Sequence, residues 1–161
     1  MPQIEIYDDE TLKSIQTIGG DGRYPAHMNK IFAVKFNPIY PNILYSGSWD
    51  QTIKFWDIRM NTKTQQINQI QTCGESIDLD SDLRTFATGG GTAAEGLKIW
   101  DIRDLTKPTV KINWSETAMG DPINMCFNTV KFVPGMSMVM GGVTDDVPAK
   151  CFNYKTGGSV I

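Results

Sequence analysis

The chain has a single histidine, His27, so any chemistry that needs an imidazole must use that residue. A metal site built on several histidines is excluded, and a Ser-His-Asp triad would have to recruit His27. Three cysteines, Cys73, Cys126 and Cys151, are odd in number and far apart, with no Cys-x-x-Cys pair. Neither a disulfide framework nor a structural zinc site is therefore expected. Gly89-Gly90-Gly91-Thr92-Ala93-Ala94 satisfies the outline of a dinucleotide fingerprint. That motif needs a helix immediately after it, to hold the pyrophosphate at its N-terminus. A strand-like Leu97–Asp101 follows instead, so the glycines read as positive-φ residues of a hairpin turn. Paired carboxylates occur at Asp80-Ser81-Asp82 and at Asp145-Asp146, and both read as exposed turns. Asn113-Trp114-Ser115 has the form of a glycosylation acceptor, but no secretory signal accompanies it. No catalytic residue, metal ligand or cofactor is expected.

The elements that would have to position such groups come from a chain of 161 residues, one domain by length and able to bury a core. Lys and Arg total 15 against 18 Asp and Glu, a net charge of −3. That balance argues against non-specific binding to nucleic acid or to anionic membranes, which need surplus basic charge. Hydrophobic residues at 40% and charged residues at 20% fit an ordered globular chain. No apolar run reaches the roughly 18 residues of a membrane-spanning helix, so membrane insertion is not expected. A cytoplasmic location is expected, with a nuclear or cytoskeletal assembly as the lesser alternative.

Internal repetition organises the sequence. Ile53-Lys54-Phe55-Trp56-Asp57-Ile58-Arg59 and Leu97-Lys98-Ile99-Trp100-Asp101-Ile102-Arg103 are nearly the same, with their tryptophans 44 residues apart. Weaker copies stand at Ile4-Glu5-Ile6-Tyr7-Asp8 and Ala149-Lys150-Cys151-Phe152-Asn153. Each alternates apolar with polar residues, the period of a strand with one buried face. A second set, Val34-Lys35-Phe36, Ile77-Asp78-Leu79 and Val130-Lys131-Phe132, precedes the tryptophan set by 20 or 21 residues. Between the two sets lie Ile43–Gly47, Arg84–Gly89 and Met138–Gly142, and short strands are expected behind them at Gln66–Ile70 and Thr109–Asn113. The unit is four short antiparallel strands, and no segment reads as a long helix.

This pattern resembles the WD-repeat β-propeller family, whose units of roughly 40–45 residues each form a four-stranded blade. The strongest likeness runs from His27 to Arg59: a histidine before the first strand, Phe36-Asn37-Pro38 at its end, then Ser46-Gly47-Ser48-Trp49-Asp50 ahead of Thr52–Asp57. The resemblance implies an all-β fold of partial propeller blades, about half of a seven-bladed ring. It divides the chain into a half blade at 1–20, blades at 21–72 and 73–114, and a degenerate blade at 115–161. It also implies a buried relay. Trp56 would donate to Ser46, Ser46 would bond His27, and His27 would donate to Asp50, each residue type suiting its place. A serine on an inner strand against a tryptophan suits structure better than nucleophilic attack. The next unit lacks the histidine and has Ala94 where the aspartate would stand, so Thr88 and Trp100 could form only part of a relay. The last unit has Phe152-Asn153 and no indole, so both are expected to rely on packing alone.

Arginine two positions after Trp-Asp resembles the box of WD-repeat substrate receptors that dock on the adaptor of cullin-type ubiquitin ligases. By symmetry Arg59 and Arg103 would share one rim, with Asp57 and Asp101 beside them as a candidate partner-binding surface. The plainer expectation is that each arginine pairs with its own aspartate. The resemblance thus implies a non-enzymatic scaffold for protein–protein interaction, with ligase substrate reception as the alternative. About three and a half blades are legible where propellers use four to eight. Other proteins are the expected partners, including remaining blades or another chain that completes the ring.

Overall fold

The computed structural model describes residues 2–19, 26–92, 96–112, 126–144 and 149–156. Every regular element among them is a strand, thirteen in all. Strands β1 (Ile4–Tyr7) and β2 (Ser14–Ile18) form a two-stranded antiparallel sheet. Strands β3 (Ile31–Phe36), β4 (Ile43–Ser48), β5 (Thr52–Asp57) and β6 (Thr62–Asn68) form a four-stranded meander, the first full blade. A second blade follows with β7 (Ile77–Leu79), β8 (Thr85–Gly89), β9 (Leu97–Asp101) and β10 (Val110–Ile112). Strands β11 (Phe127–Phe132), β12 (Met138–Val143) and β13 (Lys150–Asn153) complete a three-stranded third blade. This is an all-β, partial propeller whose sheets do not close into a ring.

Successive strands pair because they are short, close in sequence and, for the most part, apolar on alternate positions. Register then decides which face each side chain joins. In the first blade Leu44 faces Trp56 and Tyr45 faces Phe55, so Trp56 and Phe55 lie on opposite faces of one sheet. The Trp56 face packs on Ile4 and Ile18 of the N-terminal sheet. The Phe55 face, with Tyr45, Ile53 and Ile67, packs on Ile77, Phe86 and Trp100 of the second blade. On its far side the second blade offers Ala87, Leu97 and Ile99 to Phe127, Val130, Val139 and Phe152 of the third. The core is therefore three apolar layers between sheets, and most apolar side chains on the full second blade belong to one layer or another.

Two expectations about the strands are revised. The fourth strand of the first blade spans Thr62–Asn68, several residues ahead of the expected Gln66–Ile70, because Thr62 to Gln66 pair with β5 from an outer, polar position. No apolar alternation marks such a strand. The glycines before Ala93 also differ from expectation. Among the described residues of that turn the positive φ belongs to Gly96, at 57°. Gly89 instead ends β8 where a Cβ would stand 2.5 Å from that of Phe127, so its smallness lets the third blade approach. Ala94, Asn113-Trp114-Ser115 and Asp145-Asp146 lie outside the described residues.

Candidate functional site

The structure brings His27, Ser46, Asp50 and Trp56 together on the face of the first blade that meets the N-terminal sheet. Trp56 Nε1 donates to Ser46 Oγ at 2.8 Å, and Ser46 Oγ lies 2.7 Å from His27 Nε2. The other ring nitrogen, Nδ1, is 2.8 Å from Asp50 Oδ2. Because an indole only donates and a carboxylate only accepts, the network assigns the proton to Nδ1, leaving Nε2 to accept from the serine hydroxyl. Asp50 gathers further donors: the Met28 N–H on Oδ2 at 2.9 Å, and the Thr52 N–H and hydroxyl on Oδ1 at 3.0 and 2.6 Å. The hairpin between β4 and β5 holds it there, with Gln51 at φ 64° and the Asp50 N–H donating to Ser48 Oγ at 3.1 Å.

Burial decides the electrostatics. His27 is 1% exposed and Ser46 has no exposed surface. Desolvation dominates at His27 and pulls its pKa below the ordinary histidine value, against the lift from Asp50, so the ring is neutral at neutral pH. At Asp50 desolvation acts upward. The hydrogen bonds from Thr52, Met28 and His27 together outweigh it and hold the carboxyl below its usual range. A serine so enclosed, already accepting from an indole, presents no nucleophile to a substrate. Lys54 is buried beside this group with its ammonium on the Ala26 carbonyl at 2.6 Å.

The rim residues are engaged locally. Arg59 Nη2 lies 2.7 Å from Asp57 Oδ2, with Nε and the backbone N–H both 3.1 Å from Oδ1. Arg103 repeats the arrangement on Asp101 through the same three groups. These bonds drive both aspartate pKa values down and both arginine values up. Each guanidinium is two-thirds exposed yet folded back on the carboxylate that starts its own turn.

Several polar residues escaped the sequence reading. Asp78, on the innermost strand of the second blade, is buried and joins three blades: the Lys35 ammonium of the first contacts Oδ1, and the Phe132 N–H of the third donates to Oδ2 at 2.8 Å. Asp80 is not an exposed turn residue as expected. It is 5% exposed and accepts the Tyr154 hydroxyl from β13's end at 2.7 Å. Burial first, and then the Asp80 carboxylate, push the Tyr154 phenol up to about 12. Asp82 does sit exposed, capping the turn by accepting the Arg84 and Thr85 N–H groups at 2.8 Å. The partial relay expected of Thr88 and Trp100 is present, Trp100 Nε1 donating to Thr88 Oγ1 at 2.9 Å, so packing alone does not describe the second blade.

The cysteine expectation is corrected as well. Cys73 and Cys126 are joined as a disulfide with Cα atoms 6.4 Å apart, and Cys151 is free. Their separation of 53 residues equals that between Leu79 and Phe132, so they occupy equivalent positions ahead of the inner strands of adjacent blades. The repeat register was the signal, whereas spacing between cysteines alone carries none.

Comparison with known proteins agrees with this geometry. Residues 19–57, the segment that carries His27, Ser46, Asp50 and Trp56, match the family described as WD domain, G-beta repeat. Over 100 residues the chain is 27% identical to diphthine methyltransferase of Homo sapiens, covering 62% of this chain and 22% of that protein. It is 25% identical over 104 residues to mitochondrial division protein 1 of Vanderwaltozyma polyspora, covering 65% and 14%. With the peroxisomal targeting signal 2 receptor of Schizosaccharomyces pombe it shares 25% identity over 142 residues, 74% of this chain and 44% of the receptor. The chain thus spans less than half the length of each of these relatives.

Proposed function

We propose that this WD-repeat chain is a non-enzymatic scaffold whose blades bind other proteins. The observation that carries the reading is the state of its chemistry-bearing groups. His27, Ser46 and Asp50 are enclosed and satisfied by one another, and Arg59 and Arg103 are folded onto Asp57 and Asp101. What the molecule offers outward is edges and faces. Val34 and Phe36 pair with Ser46 and Leu44 and so share the Trp56 face, yet they are 49% and 46% exposed. The two-stranded N-terminal sheet packs with Leu44, Trp56 and Ile31 of that face and leaves Val34 and Phe36 uncovered, and among the described residues one edge of β1 is unpaired. Further blade strands, from this polypeptide or another chain, fit that place. One relative bears the name of a methyltransferase, but the match covers only 22% of it.

Affinity capture with quantitative mass spectrometry tests the reading. Stoichiometric protein partners are expected, and a chain that is monodisperse and partnerless in its native extract would overturn it. The ligase-receptor alternative turns on the two arginines. Arg59→Ala with Arg103→Ala is expected to keep the partners, and loss of the principal partner with unchanged melting would favour the alternative.

A further inference from the structure

We propose that Cys73 and Cys126 form a reversible thiol–disulfide exchange site for a low-molecular-weight thiol of the glutathione class, and that its state sets how firmly the third blade docks on the second. The site is independent of the scaffold reading. The two cysteines stand just ahead of the inner strands β7 and β11, linked with Cα atoms 6.4 Å apart. Each is partly exposed, so a small thiol can reach the sulfurs, the setting of exchangeable rather than static links. Backbone bonds that do not involve sulfur hold both in place. The Phe127 N–H donates to the Gly90 carbonyl at 3.1 Å, and the Val130 N–H to that of Glu75 at 3.2 Å. The Thr144 N–H donates to the Cys126 carbonyl at 3.0 Å, and a Cβ on Gly74 would stand 2.4 Å from the Asn128 carbonyl oxygen. The pair therefore stays poised to close once reduced. Cys151 is out of reach. It pairs with Met140, four residues before Thr144 and so about 13 Å along the sheet, where a disulfide tolerates Cα separations of up to about 7 Å.

Opening runs by two exchanges. A glutathione thiolate attacks one cysteine sulfur, forms a mixed disulfide there and expels the other cysteine as a thiolate. A second glutathione thiolate attacks the glutathione sulfur of that mixed disulfide and expels the remaining cysteine, leaving glutathione disulfide. Two electrons thus pass to the protein sulfurs, and the two protons shed by glutathione are regained on the cysteines. Closing is the reverse, with glutathione disulfide as oxidant. Loop length places the balance. Two thiols on a flexible chain meet at an effective concentration on the order of 1 mM. By linkage, the loop entropy of a 53-residue separation raises that about 1,000-fold in the folded chain. The link is then half formed where the square of the glutathione concentration divided by that of its disulfide is about 1 M, inside the range that glutathione buffers cover. The third blade is what responds. Among the described residues it has three strands, so its hold on the second blade rests on one apolar layer, on the bonds that cross between the blades, and on this link.

Equilibration of the whole chain in glutathione buffers, followed by acid quench, alkylation and peptide mass spectrometry, tests this. Cys73 and Cys126 are expected to pass together from alkylated to linked in one reversible transition, centred within about 30-fold of 1 M on that concentration scale. Cys151→Ser is expected to leave the transition where it is. Cys126→Ser is expected to replace the link by a mixed disulfide of Cys73 with glutathione. Native-state hydrogen exchange on the wild-type samples reads the docking. Amides of β11, β12 and β13 are expected to exchange at least about 10-fold faster in the reduced chain, and those of β3 to β6 to stay within about twofold. A link that opens only after urea unfolds the chain would overturn the exchange site. So would cysteines that remain alkylatable in excess glutathione disulfide, or a link made through Cys151. Exchange in β11 to β13 that is indifferent to the redox state would overturn the control of docking. Both measurements run on the wild-type chain, so the outcome does not depend on whether a cysteine variant folds.

Discussion

Replacing Asp50 by asparagine preserves shape and removes only charge, yet the geometry says it will be nearly as damaging as truncation. Four donors converge on this carboxylate: His27 Nδ1 and the Met28 N–H on one oxygen, and the Thr52 N–H and hydroxyl on the other. An amide must turn its NH2 toward one pair. Facing Thr52, it can donate to the hydroxyl, but the Thr52 N–H then meets a donor. Facing His27, it can be accommodated by a change of tautomer, but the Met28 N–H is stranded and Ser46 must accept from two rings. In either orientation one backbone N–H loses its partner, at about 1–3 kcal/mol. The remaining bonds lose their charge assistance, adding about 1 kcal/mol. With an Asp50 side chain only 7% exposed, solvent repairs little of this. A total of about 2–4 kcal/mol corresponds to a fall in Tm of roughly 5–15 °C for a chain of this size. Urea unfolding followed by tryptophan fluorescence, with wild type, Asp50→Asn and Asp50→Ala side by side, measures it. An asparagine variant within about 0.5 kcal/mol of wild type would refute the donor-counting argument.

The remaining expectations concern groups of the same kind. Since the folded His27 titrates below its unfolded value of 6.5, its contribution is present above pH 6.5 and is lost as pH falls below it. As the chain has one histidine, His27→Gln should flatten the stability–pH curve in that window, and an unchanged slope would count against the neutral buried ring. Asp78→Ala should cost about 2–4 kcal/mol by stranding the Phe132 N–H and removing the acceptor of Lys35, while Lys35→Ala should cost less, as both denaturation curves would show. Reductant, or Cys73→Ser, should lower stability by about 4 kcal/mol if the 53-residue separation sets the entropy of the open loop, and no change in unfolding midpoint would show that the link is not formed in solution.

Legibility in the sequence followed apolar alternation and residue type. Strands β3, β5, β7 and β9 could be read because each alternates apolar with polar residues in a repeated frame. β6 could be read only in part, since Thr62 to Gln66 are all polar and carry no apolar signature. His27, Ser46, Asp50 and Trp56 were legible because a donor-only indole, a hydroxyl, an imidazole and a carboxylate recur at fixed offsets within one repeat. Asp78 and Asp80 were not. Their partners Phe132 and Tyr154 lie 54 and 74 residues away in the next blade, and one of the bonds ends on a backbone N–H that no residue type announces. The Cys73–Cys126 link belongs to the same class, legible only once the two blades are superposed in register.

These bonds share out differently along the chain, and the pattern has a physical reason. The first blade fixes its hairpin internally, through a relay that runs from strand β5 through β4 to the segment before β3. In the second blade the relay shrinks to Trp100 and Thr88, and in the third Phe152 has no polar hydrogen to offer. Between those two blades the Asp78–Phe132 bond, the Asp80–Tyr154 bond and the disulfide appear instead. A sheet of short strands needs some directional restraint, because apolar layers are tolerant of sliding and hydrogen bonds are not. Where it cannot come from within the blade, neighbouring blades supply it. The first blade carries much of its restraint within its own sequence, and residues 19–57, which hold the relay, match a family pattern. The second and third share bonds with each other, and bonds of that kind leave no signature in the residue types of either repeat taken alone.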